Sequence, residues 1–169
     1  MKAKVPSQLQ NSFFFPNDYV DIQIQGKGLK ERGYFPHELM FFHNMKFSQP
    51  WKDEEPWIEP LINEWNAIRE ELKVSFRSRR QDTYEGMRCG MAFLLTILFW
   101  YNAEPVTPLS WREKIKGFQW KAVNMEERLG FIFENAQSFT AFIQLNELIV
   151  EQLKQCAKKK VMRKRNLTK

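Results

Sequence analysis

Apolar residues recur at helical spacing along most of the chain, and one stretch is apolar on every face. The run CGMAFLLTILFWY at 89–101 is broken only by Gly90 and Thr96. A helix that is apolar all round has to be enclosed, by protein or by lipid. Thirteen residues fall short of the roughly 18–20 that cross a bilayer. Glu85 and Arg88 close the run on one side, Asn102 and Glu104 on the other. The pattern predicts a buried central helix at about 83–101 of a soluble, all-α domain. Gly86 and Gly90 lie one turn apart and predict close approach of another helix backbone.

The flanking segments predict helices that surround it. Trp57, Leu61, Trp65, Ile68, Leu72 and Phe76 form one stripe, with Pro56 and Pro60 at its opening turn and Arg77, Arg79 and Arg80 at its end. Acidic residues at the start and basic residues at the end suit the helix dipole. Pro36 opens a short helix. Ser110 with Glu113, and Asn124 with Glu127, carry capping-box spacing ahead of two further helices. Ser138 caps a last long helix with a stripe through Phe142, Leu145, Leu148 and Leu153. The sum is a bundle of five or six helices.

Ahead of the bundle, YVDIQIQ alternates apolar and polar residues and predicts a short strand near 19–25 that needs a pairing partner. Phe13, Phe14 and Phe15 form an anchor to the body. Residues 1–35 read as a lead-in and loop, 36–157 as the helical domain and 158–169 as a basic tail.

Composition sharpens this picture. The 169 residues include 15 Phe, 6 Trp and 4 Tyr, enough to fill a substantial core without cross-links. Two cysteines, Cys89 and Cys156, form no disulfide framework or C-x-x-C motif. No leader with a cleavage site opens the chain, so a cytoplasmic location is expected. The net charge is +6, but segment 158–169 holds seven of the 26 basic residues, leaving 19 against 20 acidic elsewhere. The excess charge therefore belongs to one segment.

The catalytic motifs fail on spacing. His37-Glu38 opens like H-E-x-x-H, yet Phe41 occupies the fifth position and His43 comes two residues late, which predicts ordinary surface or loop histidines. Gly26-Lys27-Gly28 lacks the spacing of a phosphate loop and predicts a turn. No cofactor, metal or catalytic residue is assigned. Asn102 and Arg128, beside apolar segments, predict a structural polar network.

The C-terminal two-thirds resembles the YpoC-like family of small bacterial proteins. The likeness rests on Phe99-Trp100-Tyr101-Asn102 with Pro105, on Val123-Asn124-Met125-Glu126-Glu127-Arg128-Leu129, and on Ala141-Phe142-Ile143-Gln144-Leu145-Asn146-Glu147-Leu148. Pro50-Trp51 and the 57–72 helix fit as well, whereas segment 17–34 does not match. The resemblance implies a cytoplasmic helical domain and brings no catalytic signature.

Function is then read from what remains. Lys158, Lys159, Lys160, Arg163, Lys164 and Arg165 form a basic segment suited to weak, sequence-independent contact with DNA or RNA, or simply to solubility. Trp51, Trp57, Trp111 and Trp120, at helix ends or in connectors, are candidate anchors for a protein partner. The leading reading is a non-enzymatic interaction module. Its rivals are a small enzyme with an inter-helix pocket and a structural or homo-oligomeric protein. An exposed apolar patch favours the module or the oligomer; a deep cleft with converging ionisable groups favours the enzyme.

Overall fold

The computed structural model describes residues 1–22, 33–80 and 82–168. The fold is all-α, with six α-helices among these residues: α1 (Pro36–Phe42), α2 (Glu55–Arg77), α3 (Tyr84–Tyr101), α4 (Trp111–Lys116), α5 (Met125–Glu134) and α6 (Phe139–Leu167). Two three-residue strands accompany them. β1 (Lys2–Lys4) pairs antiparallel with β2 (Tyr19–Asp21), with Ala3 opposite Val20. The alternating segment near 19 thus finds its partner at the start of the chain. Its continuation at 23–25, and the glycine loop through Gly26 and Gly28, lie outside the described residues.

The central helix is α3, in which every residue from Cys89 to Tyr101 is buried. Its enclosure is proteinaceous, with α2 and α6 packed against it. No helix among the described residues is long and apolar enough to cross a membrane. Gly86 and Gly90 mark where these helices meet. A Cβ on Gly86 would stand 2.7 Å from Leu72 Cδ2, and one on Gly90 would stand 2.5 Å from Trp65 Cζ3 and 2.9 Å from Leu145 Cδ2. The tight packing is therefore intramolecular. The glycines make room for large side chains of α2 and α6, and not for the close approach of a second backbone.

Helix starts are less regular than their sequences predict. Ser138 does cap α6, its Oγ accepting from Ala141 N at 3.0 Å. At α4, Ser110 makes no capping bond; its hydroxyl donates to Thr107 Oγ1 at 3.3 Å. Asn124 precedes α5 in the left-handed region at φ 55°, again without a side-chain cap. In both cases the preceding turn decides the local geometry. Pro60 lies inside α2, beyond its first turn. Its missing N–H removes a rung of the helical ladder at an exposed position.

The N-terminal segment closes one side of the bundle through aromatic contacts. Phe14 is buried, its ring 5.0 Å from Phe35 and 6.0 Å from Phe133. Polar pins join the other elements. Asn102 Nδ2 donates to Leu98 O at 2.7 Å and to Trp120 O at 3.0 Å. Arg128 grips Glu151 with two bonds, at 2.6 and 3.0 Å. Both residues serve structural networks, as their apolar settings predict.

Candidate functional site

The basic segment is not a separate appendage in conformation: α6 runs through it without interruption to Leu167. A helical path distributes its charges around the axis, and the bundle then sorts them. On the inner side, Lys159 Nζ donates to Tyr101 O at the end of α3. Arg163 Nη2 bonds Glu54 Oε1 at 2.7 Å, and Lys160 Nζ lies 3.7 Å from Glu55 Oε1. Glu54 is buried, so Arg163 is its compensating charge. The cations stand at the C-terminal end of α6 and the carboxylates at the N-terminal end of α2, which suits both helix dipoles. Burial holds the Lys159 ammonium below its ordinary pKa, although Glu54 pulls the other way.

The outer side has a different character. Lys154, Ala157, Lys158, Val161 and Arg165 follow steps of three and four along α6, which places them on one face. Together with Met162 and Trp120 they line a shallow groove whose surface is almost wholly apolar. Val161 is 50% exposed and Met162 46%. Trp120 reaches this groove from the α4–α5 connector, which is firmly held. Its backbone N donates to Asn102 Oδ1 at 3.0 Å, and its carbonyl accepts from Gln152 Nε2 at 2.9 Å. The fully buried Gln152 also accepts from Ala122 N at 3.0 Å. Two helices thus fix the loop that presents the indole.

The candidates predicted from sequence divide accordingly. Trp120, Lys158 and Arg165 meet in one groove. Lys159, Lys160 and Arg163 are engaged with the body, and Lys164 is exposed beside the groove. Trp51 is buried, 5.1 Å from the Phe41 ring. Trp111 stacks on Phe133 at 5.4 Å with the Arg112 guanidinium 4.7 Å above it. Trp57 lines a different cavity. Sequence reasoning missed Lys154, Val161 and Met162. Their signal was present in the apolar Ala157 and Val161, four residues apart among the lysines.

That other cavity, about 300 Å³, lies between α1, α2 and α3. His37 and Glu38, at the start of α1, are buried there and not on a surface or in a loop. The histidine ring is 4.8 Å from Trp57 and 5.8 Å from Trp100, which holds it in an aromatic cluster. Glu38 Oε1 accepts from Trp100 Nε1 at 2.7 Å and from Val106 N at 3.1 Å. Its Oε2 accepts no hydrogen bond among the described residues. Burial pushes the Glu38 carboxyl up to about 7, against the downward pull of the Trp100 and Val106 bonds. The sequence hid this residue, because an acid in a first helical turn ordinarily faces water.

No cysteine is among the described residues that line either site. Cys89 and Cys156 are both buried, and burial pushes the Cys156 thiol up to about 12. Among the described residues no cluster of His, Cys, Asp and Glu is placed to hold a metal. His43 is remote from such a role, its Nε2 lying 3.0 Å from Lys4 O.

Comparison with known proteins places the chain. The family described as "YpoC-like protein" matches residues 55–164, from the start of α2 to the last turns of α6. Trp120, Lys154, Lys158 and Val161 fall inside that span; His37 and Glu38 fall outside it. A Bacillus subtilis (strain 168) relative, "Uncharacterized protein YpoC", is 35% identical over 108 residues. The matched region takes in 62% of this chain and 65% of that relative. No solved structure matches the chain significantly. With the match covering most of its helical body, the chain belongs to the YpoC-like family.

Proposed function

We propose that this protein is a non-enzymatic interaction module. The helical body, residues 36–157, and the basic segment beyond it together dock an acidic, amphipathic segment of a protein partner. One observation carries this reading: the half-buried Trp120 and the exposed Val161 form an apolar floor, and Lys154, Lys158 and Arg165 surround it. An aromatic anchor beside aliphatic side chains supplies binding energy, and a cationic rim selects an acidic partner and speeds its encounter. An amphipathic helix with apolar residues at three- and four-residue steps covers such a groove while its acidic flanks meet the rim. A nucleic-acid backbone would satisfy Lys158, Lys164 and Arg165 but would leave Val161 and Met162 uncovered.

The test is binding of a labelled, glutamate-rich amphipathic peptide, followed by fluorescence anisotropy across a salt series. A scrambled peptide of equal charge, a DNA duplex and a single-stranded oligonucleotide serve as comparators. The amphipathic peptide should bind most tightly, and Trp120→Ala should weaken it by about tenfold or more. This substitution spares the loop, which is held through the Trp120 backbone. Equal binding of the scrambled peptide and both nucleic acids, set by salt alone, would transfer the site to sequence-independent polyanion contact. A dimer of the free protein that Val161→Glu abolishes would make a second copy the occupant. Absence of binding in every arm would end the docking reading.

A further inference from the structure

At the C-terminal end of α2, a crevice of about 680 Å³ is lined by Phe76, Arg79, Arg80, Thr83, Gln137 and Phe139. It shares no lining residue with the docking groove or with the cavity beside α1. All six residues lie within the span that matches the family. No acidic residue is on the described lining, and neither arginine enters an ion pair among the described residues. Thr83 is 5% exposed, and its hydroxyl has no hydrogen-bond partner among the described residues. Its backbone is helical, at φ −80° and ψ −16°, and its side chain does not cap the α3 that it precedes. Two helix N-termini open beside the crevice. The first bond of α3 runs from Met87 N to Thr83 O, and that of α6 from Phe142 N to Ser138 O. The amides of Tyr84, Glu85, Phe139 and Thr140, ahead of these bonds, have no acceptor within their helices, and both dipoles present positive ends. Arg79 itself stands at φ 51°, just past α2, in a position that glycine usually fills.

We infer that this crevice binds a small phosphomonoester whose body carries a planar ring, a nucleoside monophosphate in chemical class. The Arg79 and Arg80 guanidinia offer paired donors to the phosphate oxygens, and the Thr83 hydroxyl supplies a further donor from its buried position. The two helix N-termini favour the same negative charge. A cationic ligand would meet two arginines and no acid on the lining, and a neutral one would leave both arginines unmatched. The Phe139 ring is 58% exposed and packs edge-on against Phe76 at 5.7 Å. Its exposed part offers a planar group a stacking surface at the rim. The volume falls within the roughly 300–1,000 Å³ of ordinary ligand sites, so the body is accommodated along with the phosphate.

Calorimetry on the full chain compares adenosine 5′-monophosphate, adenosine, inorganic phosphate and a single-stranded oligonucleotide without a terminal phosphate. The monophosphate should saturate, and adenosine and inorganic phosphate should each bind at least about tenfold more weakly. Arg80→Gln should weaken the monophosphate by about tenfold, and Thr83→Val should weaken it to a smaller degree. Arg79→Gly separates binding from folding, because glycine suits the backbone there. Its melting temperature should hold or rise while affinity for the monophosphate falls by about tenfold. Phe139→Ala should bring the monophosphate down to the level of inorganic phosphate, and Lys158→Glu, in the docking groove, should change neither. Affinity that survives both arginine substitutions, or no saturable binding of the monophosphate, would overturn the inference. Equal binding of inorganic phosphate and the monophosphate would remove the ring from it. Tighter binding of the oligonucleotide, dependent on Arg79 and Arg80, would overturn the assignment to a small molecule and make a nucleic-acid backbone the occupant.

Discussion

Arg163 and Glu54 are joined at 2.7 Å across 109 positions of sequence, and the carboxylate they share is buried. This contact fastens the last turns of α6 to the residue that immediately precedes α2. It also turns Lys159 and Lys160 inward, and so leaves Lys154, Lys158 and Arg165 on the outer face. The orientation of the docking groove thus depends on an ion pair that is not part of it.

Removing Arg163 leaves Glu54 buried without its partner. Arg163→Ala should destabilise the fold by about 1–3 kcal/mol, toward the low end because the arginine is partly exposed. Lys158→Ala, on the outer face, should stay within about 0.5 kcal/mol of the parent. Urea denaturation midpoints measure both. Equal shifts would show that Glu54 draws no particular support from Arg163.

Glu38 predicts a pH dependence of stability with a definite sign. Its carboxyl titrates near 7 in the folded protein, above the ordinary 4.5. The folded state therefore binds the proton more tightly, and this group contributes most stability at pH below about 4.5. That contribution declines as pH rises and is gone above about 7, with a full amplitude on the order of 3 kcal/mol. Glu38→Gln keeps an acceptor for Trp100 and Val106 but cannot ionise. Relative to the parent, it should gain stability between pH 5 and 8 in thermal melts. A difference curve that is flat over this interval would contradict the assignment.

The two glycines of α3 should respond unequally to alanine. At Gly90 the new methyl would meet the rigid Trp65 ring at 2.5 Å, and Gly90→Ala should cost about 1–3 kcal/mol despite better helix propensity. At Gly86 it meets Leu72 Cδ2 at 2.7 Å and Cγ at 2.8 Å, in an aliphatic side chain that adapts more readily than an indole ring. Gly86→Ala should therefore be the milder change, with the propensity gain of about 1 kcal/mol offsetting the strain. Chemical denaturation of the two variants reads the order directly. A reversed order would place the tighter contact at Gly86.

Both thiols should be inert in the native state. Cys89 is fully buried, and Cys156 is 2% exposed with its thiol pushed up to about 12. Reaction with a disulfide reagent at neutral pH should proceed only as fast as the protein opens, and immediately in denaturant. A fast first phase in buffer would reveal an accessible thiol.

Sequence periodicity alone determined most of the helices and the identity of their centre. The run at 89–101 was too apolar for any surface and too short for a membrane, so only burial within protein remained. The 57–76 stripe and the Ser138 cap were equally legible, because hydrogen bonds and side-chain spacing within a helix involve near neighbours. Capping at Ser110 and Asn124 was misread for the complementary reason: the preceding turn set the geometry, and spacing does not record it. The tertiary fold alone decided the sites. Glu38 resembled a solvated acid until Trp100, 62 positions later, placed an indole N–H against it. Six basic residues formed one charge run until α2 and α3 engaged three of them and left the others outside. Trp120 and Lys158 carry no mutual signal in sequence, and they meet only because Asn102 and Gln152 hold the connector against the end of α3 and the middle of α6. Local periodicity specifies which face of a helix is buried. Which charges and aromatic rings then meet depends on how distant helices pack, and that is settled only when the core closes.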